Sequence, residues 1–217
     1  MKFDRILLDI GVQRDLFDRS GSFYTRQSAE AIRNIYRLFA WAKGNRIPVV
    51  STVLRVRPDR LGPLVDVPHC VEGTAGERKM AKTVLPRRVN FGLRNVTDLP
   101  GDLFRRHQQV IFESRDTDIF AHTRAERLIT ELQTGTFIIC GAGVAKGVVQ
   151  AAVGLRWRGF GVVLASDAVL DLGDRRAPMA RLRMEAKGVI FVPTDKIVVP
   201  ISRRPVARFR TALTAGG

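Results

Sequence analysis

The sequence predicts an α/β protein with a doubly wound, mostly parallel sheet of about six strands and helices on both faces. Three observations predict it. Short apolar runs of strand length alternate with longer segments of helical periodicity. Acids, hydroxyls and glycines gather just after those runs, where open parallel sheets hold ligands. The chain has 217 residues, 45% of them apolar, enough to bury one sizeable core.

In chain order, Ile6-Leu7-Leu8-Asp9-Ile10 is an apolar run with an acid near its end, the pattern of a buried parallel strand. Ser28 is expected to cap a helix whose apolar residues Ile32, Ile35, Tyr36, Leu38 and Phe39 recur at helical spacing up to Gly44-Asn45. Ile47 to Val53 is the second strand, with Pro48 at its start, where a missing donor matters least. From Arg55 to Asn90 the chain is irregular and rich in Pro, Gly and Arg; a connection of that length tends to line a site. Alternation then resumes. Gln109–Glu113 reads as a strand, and Thr123–Leu132 as a helix with a Thr123/Glu126 capping box. Phe137–Cys140 is a strand, Val144–Arg158 a helix, Val162–Ala165 a strand, Ala177–Lys187 a helix and Val189–Val192 a last strand. Residues 1–200 are expected to form one domain, and residues 201–217 a basic tail that packs weakly.

The net charge of +15 raises binding to nucleic acid or another polyanion, through Arg55/Arg57/Arg60, Arg87/Arg88/Arg94 and Arg203/Arg204/Arg208/Arg210. Against it, the basic residues are spread along the chain, few aromatics accompany the clusters and no nucleic-acid-binding module is present, so solvated surface is preferred. Two cysteines far apart give no disulfide framework and point to a reducing cytoplasm. No run of apolar residues is long enough to span a membrane, and the start of the chain lacks signal-peptide anatomy.

Cys140-Gly141-Ala142-Gly143-Val144-Ala145-Lys146-Gly147 follows a strand and opens a helix, so its backbone N–H groups suit an anion or oxyanion. Gly141, Gly143 and Gly147 approximate a dinucleotide fingerprint, and Asp167 falls where a ribose-binding acid would sit. The last glycine is one residue late, however, and most of the sheet precedes the motif. No cofactor is expected.

The ordered pieces resemble the isochorismatase-like hydrolase family over about residues 5 to 195. Asp9 with Gln13, Asp15 and Phe17 resembles the family's opening, and Phe120-x-x-Thr123 its Phe-x-Gly-Thr segment. Gly159-Phe160 and Ser166-Asp167-Ala168 resemble its end, and His69-Cys70-Val71-Glu72-Gly73-Thr74-x-Gly76 resembles a stretch of the nicotinamidase branch. The resemblance implies this fold, a small-molecule ligand, a homo-oligomer, a cysteine nucleophile with an aspartate base and a lysine, and in many members a cis peptide, here at Gly141-Ala142.

Carried across by spacing, the base is Asp9, the lysine position holds Ser114 and the nucleophile position holds Gly147. Gly has no side chain and Ser no positive charge, so cysteine-dependent hydrolysis is expected to be absent. Gly141, Ala142, Gly143 and Phe120 are the expected ligand- and oxyanion-binding residues. Cys140 and Cys70 are read as structural, and Arg115 as a charge lent from beside Ser114. No metal is expected, since His69 lacks the Asp-x-His partner; the second strand continues Ser51-Thr52-Val53-Leu54-Arg55. Three readings result: an impaired member that binds a small ligand or serves as a scaffold; an active hydrolase of amide or vinyl-ether bonds using Asp9-activated water or Cys70; and a polyanion binder.

Overall fold

The apolar runs become strands because β-branched and aliphatic side chains fill both faces of a covered parallel sheet. In the computed structural model, which describes residues 2–64 and 67–199, the strands are β1 (Lys2–Ile10), β2 (Val49–Leu54), β3 (Arg88–Phe91), β4 (Gln109–Ser114), β5 (Gln133–Ala142), β6 (Gly161–Leu170) and β7 (Ile190–Val192). They form one sheet in the order β3-β4-β2-β1-β5-β6-β7, every pairing parallel. The helices are α1 (Arg14–Phe17), α2 (Arg26–Gly44), α3 (Leu103–Arg106), α4 (Thr123–Glu131), α5 (Val149–Trp157), α6 (Ala177–Ala186) and α7 (Thr194–Ile197). One face of the sheet packs on α1, α2 and α7, and the other on α3, α4, α5 and α6. The chain leaves β1 toward β2 and later returns on β1's other side as β5, which places the switch point at the carboxyl ends of β1 and β5.

The sheet has seven strands, not about six. The extra one, β3, is a four-residue edge strand whose residues alternate between exposed and half-buried, so no apolar run announces it. β1 and β5 also start earlier than their apolar runs, because Lys2–Arg5 and Gln133–Thr136 pair as half-exposed strand. The cap of α2 is Thr25, not Ser28: Thr25 Oγ1 accepts from the Ser28 N–H (3.2 Å) and Ser28 Oγ from the Thr25 N–H (3.1 Å). The capping box expected at Thr123 does not form. Thr123 Oγ1 instead donates to Asn95 (2.7 Å), and Glu126 pairs with Arg158 just after α5 (2.8 Å). Residues Val144–Val148 form a π-helical turn before α5, where a continuous α-helix was expected. The basic tail lies outside the described residues.

Candidate functional site

Side chains alternate across a strand, so β1 sorts its last residues onto opposite faces. Ile6, Leu8 and Ile10 enter the core under α4 and α5, while Leu7 and Asp9 face α2. Asp9 stands in register with Ser51 on β2 and Cys140 on β5, so these three side chains form a row on the α2 face.

Asp9 is fully buried. Its Oδ1 accepts from Lys79 Nζ at 2.6 Å, its Oδ2 accepts from the Ser51 hydroxyl, and Gln109 Nε2 donates to Ser51 Oγ at 2.8 Å. Burial pushes the Asp9 carboxyl up, and the Lys79 charge, the Ser51 hydroxyl and the Val12 N–H only partly offset it. The ammonium arrives on a strap, residues 76–80, that runs beside residues 12–15. Arg14 N–H donates to Arg78 O (2.8 Å), Asp15 N–H to Gly76 O (3.1 Å) and Met80 N–H to Val12 O (3.1 Å). Gln13 completes the clasp, its amide donating to Leu54 O and Glu77 O (both 2.8 Å) while its carbonyl accepts from the Leu54 N–H (2.8 Å). Arg55 holds Glu77 on one side and, as a two-pronged pair, Glu113 on the other (2.7 and 2.9 Å).

The cation beside Asp9 is therefore Lys79, a residue that reading by family spacing passed over, and not position 114 or Arg115. Ser114 ends β4 in register with Leu54, with β2 between it and β1. Two strand spacings of about 4.8 Å put it roughly 10 Å to the side of Asp9. Its Oγ accepts from the Asp116 N–H (2.9 Å), and it lines a cleft of about 330 Å³ with Leu93, Asn95, Glu113, Arg115 and His122. Arg115 is committed to Glu72 (3.0 Å).

Gly147 is buried on the opposite face from Asp9. A Cβ there would lie 2.9 Å from Ile10 Cγ2 and 3.0 Å from Thr117 O. The base and nucleophile positions assigned by spacing therefore do not face each other: what position 147 faces is Ile10 and a backbone carbonyl. Phe120 is not at the switch point either. Its ring fills the space over Gly154 and lies 3.8 Å beneath the Arg158 guanidinium.

The turn itself is tightly built. Gly141 has φ +128°, and a Cβ on it would sit 2.0 Å from Ile10 O, so close approach of β1 and β5 requires glycine there. The Gly143 N–H donates to Leu170 O (2.8 Å), and the Lys146 and Val148 N–H groups both donate to Gly143 O (2.9 and 3.1 Å), so these three donors are committed. Lys146 Nζ donates to Pro63 O, and Leu64 Cδ2 lies 2.7 Å from where a Gly143 Cβ would be, closing the turn from above. The Gly141-Ala142 peptide is trans, and no cis peptide occurs among the described residues.

The remaining motif residues have structural partners. Asp15 Oδ2 accepts from the Cys70 N–H at 2.6 Å, holding Cys70 at φ +52°. Both ring nitrogens of His69 serve its own loop: Nδ1 lies 2.8 Å from Val67 O, and Nε2 accepts from the Leu64 N–H at 3.4 Å. Asp167 accepts from the Thr194 N–H (2.8 Å) and hydroxyl (2.6 Å) at the start of α7. Both cysteines are free and buried. Burial drives each thiol up, helped by Asp15 at Cys70 and by Asp9 at Cys140. Among the described residues no three His, Cys, Asp or Glu side chains form a group that could hold a metal, and no helix is long and apolar enough to cross a membrane.

Strand order, switch point and a glycine-rich turn between β5 and α5 define the class: an open, doubly wound α/β domain built around a buried acid–lysine pair. A family model described as the isochorismatase domain matches residues 5–196, and the chain belongs to the isochorismatase family. Among solved structures it is similar to the nicotinamidase/pyrazinamidase of Bacillus subtilis, with a TM-score of 0.67 and 18% identity over 88% of this chain and 100% of that one. It is also similar to N-carbamoylsarcosine amidase from Thermoplasma acidophilum (TM-score 0.67, 13% identity, 89% and 98% covered). A third is the MAR1 ribonuclease of Caenorhabditis elegans (TM-score 0.61, 16% identity, 90% and 79% covered). At these identities the likeness is one of fold. No curated protein matches the sequence.

Proposed function

We propose that this chain is an isochorismatase-family protein that does not perform cysteine-dependent hydrolysis and acts in the cytoplasm as a small-ligand-binding or scaffold member. One observation carries the reading: Asp9 and position 147 lie on opposite faces of the sheet, so the acid and the glycine that replaces the nucleophile cannot meet on one substrate. An Asp9-activated water is disfavoured as well, because both carboxylate oxygens are engaged and the residue is fully buried. Cys70 is no better placed, since a thiol driven up by burial supplies little thiolate near neutral pH. The cleft that Ser114 lines, about 330 Å³, has the volume of a small-molecule site.

Assay of the purified chain against nicotinamide-type amides and isochorismate-type vinyl ethers tests the proposal. The expected outcome is no turnover above buffer. Turnover at hydrolase rates that disappears in Asp9→Asn or Cys70→Ala would replace it with the active-hydrolase reading. Polyanion binding is weakened by the fate of the arginines: Arg55 is spent on Glu77 and Glu113, and Arg87 on the carbonyls of Arg105 and Arg106. The cluster at 203–210 lies outside the described residues. RNA or DNA binding that falls steeply with salt would restore that reading.

A further inference from the structure

Helix α6 carries an apolar stripe on the side that faces away from the core. The period of an α-helix gathers Pro178, Met179, Leu182 and Ala186 there, all exposed, while Ala177, Ala180 and Met184 are buried on the other side. Met179 is 67% exposed and Leu182 56%, and Trp157 at the end of α5 is 79% exposed. Arg156 joins that end of α5 to α6, its Nε donating to Lys187 O at 2.9 Å, which brings Trp157 beside the stripe. Large apolar side chains this exposed stand out from the surface and mark a contact site.

Both edges of the stripe carry cations. Arg183 and Lys187 lie along one edge, Arg181 lies along the other a turn before Glu185, and Arg175 precedes the helix. Among the described residues the side chains of these four cations make no hydrogen bond or ion pair, and Glu185 is the single acid of α6.

We propose that this corner, α6 with Trp157, is a peripheral docking site for an anionic lipid surface. The stripe enters the boundary between headgroups and acyl chains, while Arg181, Arg183 and Lys187 meet the phosphates at its margins. Tryptophan suits that depth, because its ring is apolar and its N–H stays near water. Shape and charge together choose the occupant. Ala177, Ala180 and Met184 hold the inner side of α6 to the core, so nothing can wrap the helix and any partner approaches from outside. Nucleic acid would satisfy the cations but has no use for Met179, Leu182 and Trp157. A protein would need an acid-rimmed hollow matched to three protruding side chains, whereas a fluid bilayer accommodates them. The net charge of +15 draws the whole chain toward an anionic leaflet. The contact is peripheral, since α6 has 10 residues, about half of what a membrane span requires.

Cosedimentation of the full chain with vesicles tests this, phosphatidylcholine alone against phosphatidylcholine mixed with phosphatidylglycerol. Binding to the mixed vesicles is expected to be at least about tenfold stronger than to the neutral ones, and to weaken as salt rises. Fluorescence reports the site, because the only other tryptophan, Trp41, is 7% exposed. Emission should move to shorter wavelength on mixed vesicles, and Trp157→Phe should abolish that shift while binding remains measurable. Leu182→Glu and Arg183→Glu/Lys187→Glu should each weaken binding at least about tenfold, with unchanged circular dichroism spectra. No binding, or no preference for anionic vesicles, overturns the proposal. So does binding indifferent to Leu182→Glu, which would assign the attraction to charge elsewhere in the chain. Trp157 emission already at short wavelength before vesicles are added, and unmoved by them, would overturn it in favour of a second copy of the chain on this surface.

Discussion

The two faces of the sheet treat the carboxyl end of β1 in opposite ways. On the α2 face, Asp9 belongs to a closed polar chain: Gln109 donates to Ser51, Ser51 to Asp9, and Lys79 to the acid's other oxygen. On the α5 face, one residue further along, a Cβ at Gly147 would meet the Ile10 methyl and the Thr117 carbonyl. A single residue of strand alternation separates the two environments. An acid and a lysine meet at the carboxyl end of β1, on the side of the sheet away from Gly147. Possessing the right residue types near a switch point is therefore not the same as possessing a site.

The comparison breaks most visibly at the ion pair. Lys79→Met leaves a fully buried Asp9 with no counter-ion and is expected to cost about 3–5 kcal/mol of unfolding free energy at neutral pH. Adding Asp9→Asn should return most of that loss, because the double variant buries no charge and the amide can still bond to Ser51. The penalty of the single variant should shrink in acid, where Asp9 protonates and the uncompensated charge vanishes. Denaturant titrations at neutral and acidic pH check both statements. A single variant as stable as the parent would mean that Asp9 reaches solvent.

The other face is tested by placing cysteine and lysine at the positions that family spacing assigns to them. Gly147→Cys is expected to cost about 1–3 kcal/mol, because its Cβ crowds the Ile10 methyl and a backbone oxygen that yields little. Combined with Ser114→Lys, it should still give no hydrolysis, since neither side chain gains Asp9 as a neighbour. Turnover by the Ser114→Lys/Gly147→Cys chain would show that the two faces communicate after all.

Most of the fold was legible, because buried parallel strands announce themselves as apolar runs and α2 as an apolar period. β3 was not, since an edge strand of Arg88, Val89, Asn90 and Phe91 needs no apolar run to pair on one side. Within the site, the acid at the end of β1 and the glycine turn after β5 follow from sequence order, whereas the contact of Asp15 with the Cys70 N–H does not. Lys79 does not: it lies 70 residues from its partner, on a strap whose course is set by backbone bonds to residues 12–15. One signal was available. Only seven of the 36 basic residues are lysines, and a compact ammonium fits a buried single-carboxylate site better than a guanidinium fork does. Spacing also hid which face Asp9 serves, because a family alignment fixes order along the chain while alternation fixes direction.

The smallest expected effect sharpens the comparison at the loop that closes the turn. Burial holds the imidazoles of His69 and His122 below the ordinary histidine value of 6.5. Both are therefore neutral in the folded chain at pH values where the unfolded chain has begun to take up protons. Their share of stability is whole above 6.5 and declines as the pH falls from there toward the lowered folded values. At His69 the consequence is local. Its Nδ1–H faces Val67 O, so Nε2 carries the lone pair that accepts from the Leu64 N–H. Protonating Nε2 removes that acceptor and frees Leu64, whose side chain lies over Gly143. Hydrogen exchange, corrected for the intrinsic effect of pH, should then show the Leu64 amide losing protection in mild acid while amides of β1 and β5 keep theirs. His69→Ala should show the same exposure already at neutral pH. Equal protection of Leu64 at both pH values would mean that the loop is held over the turn by Lys146 and Pro63 alone.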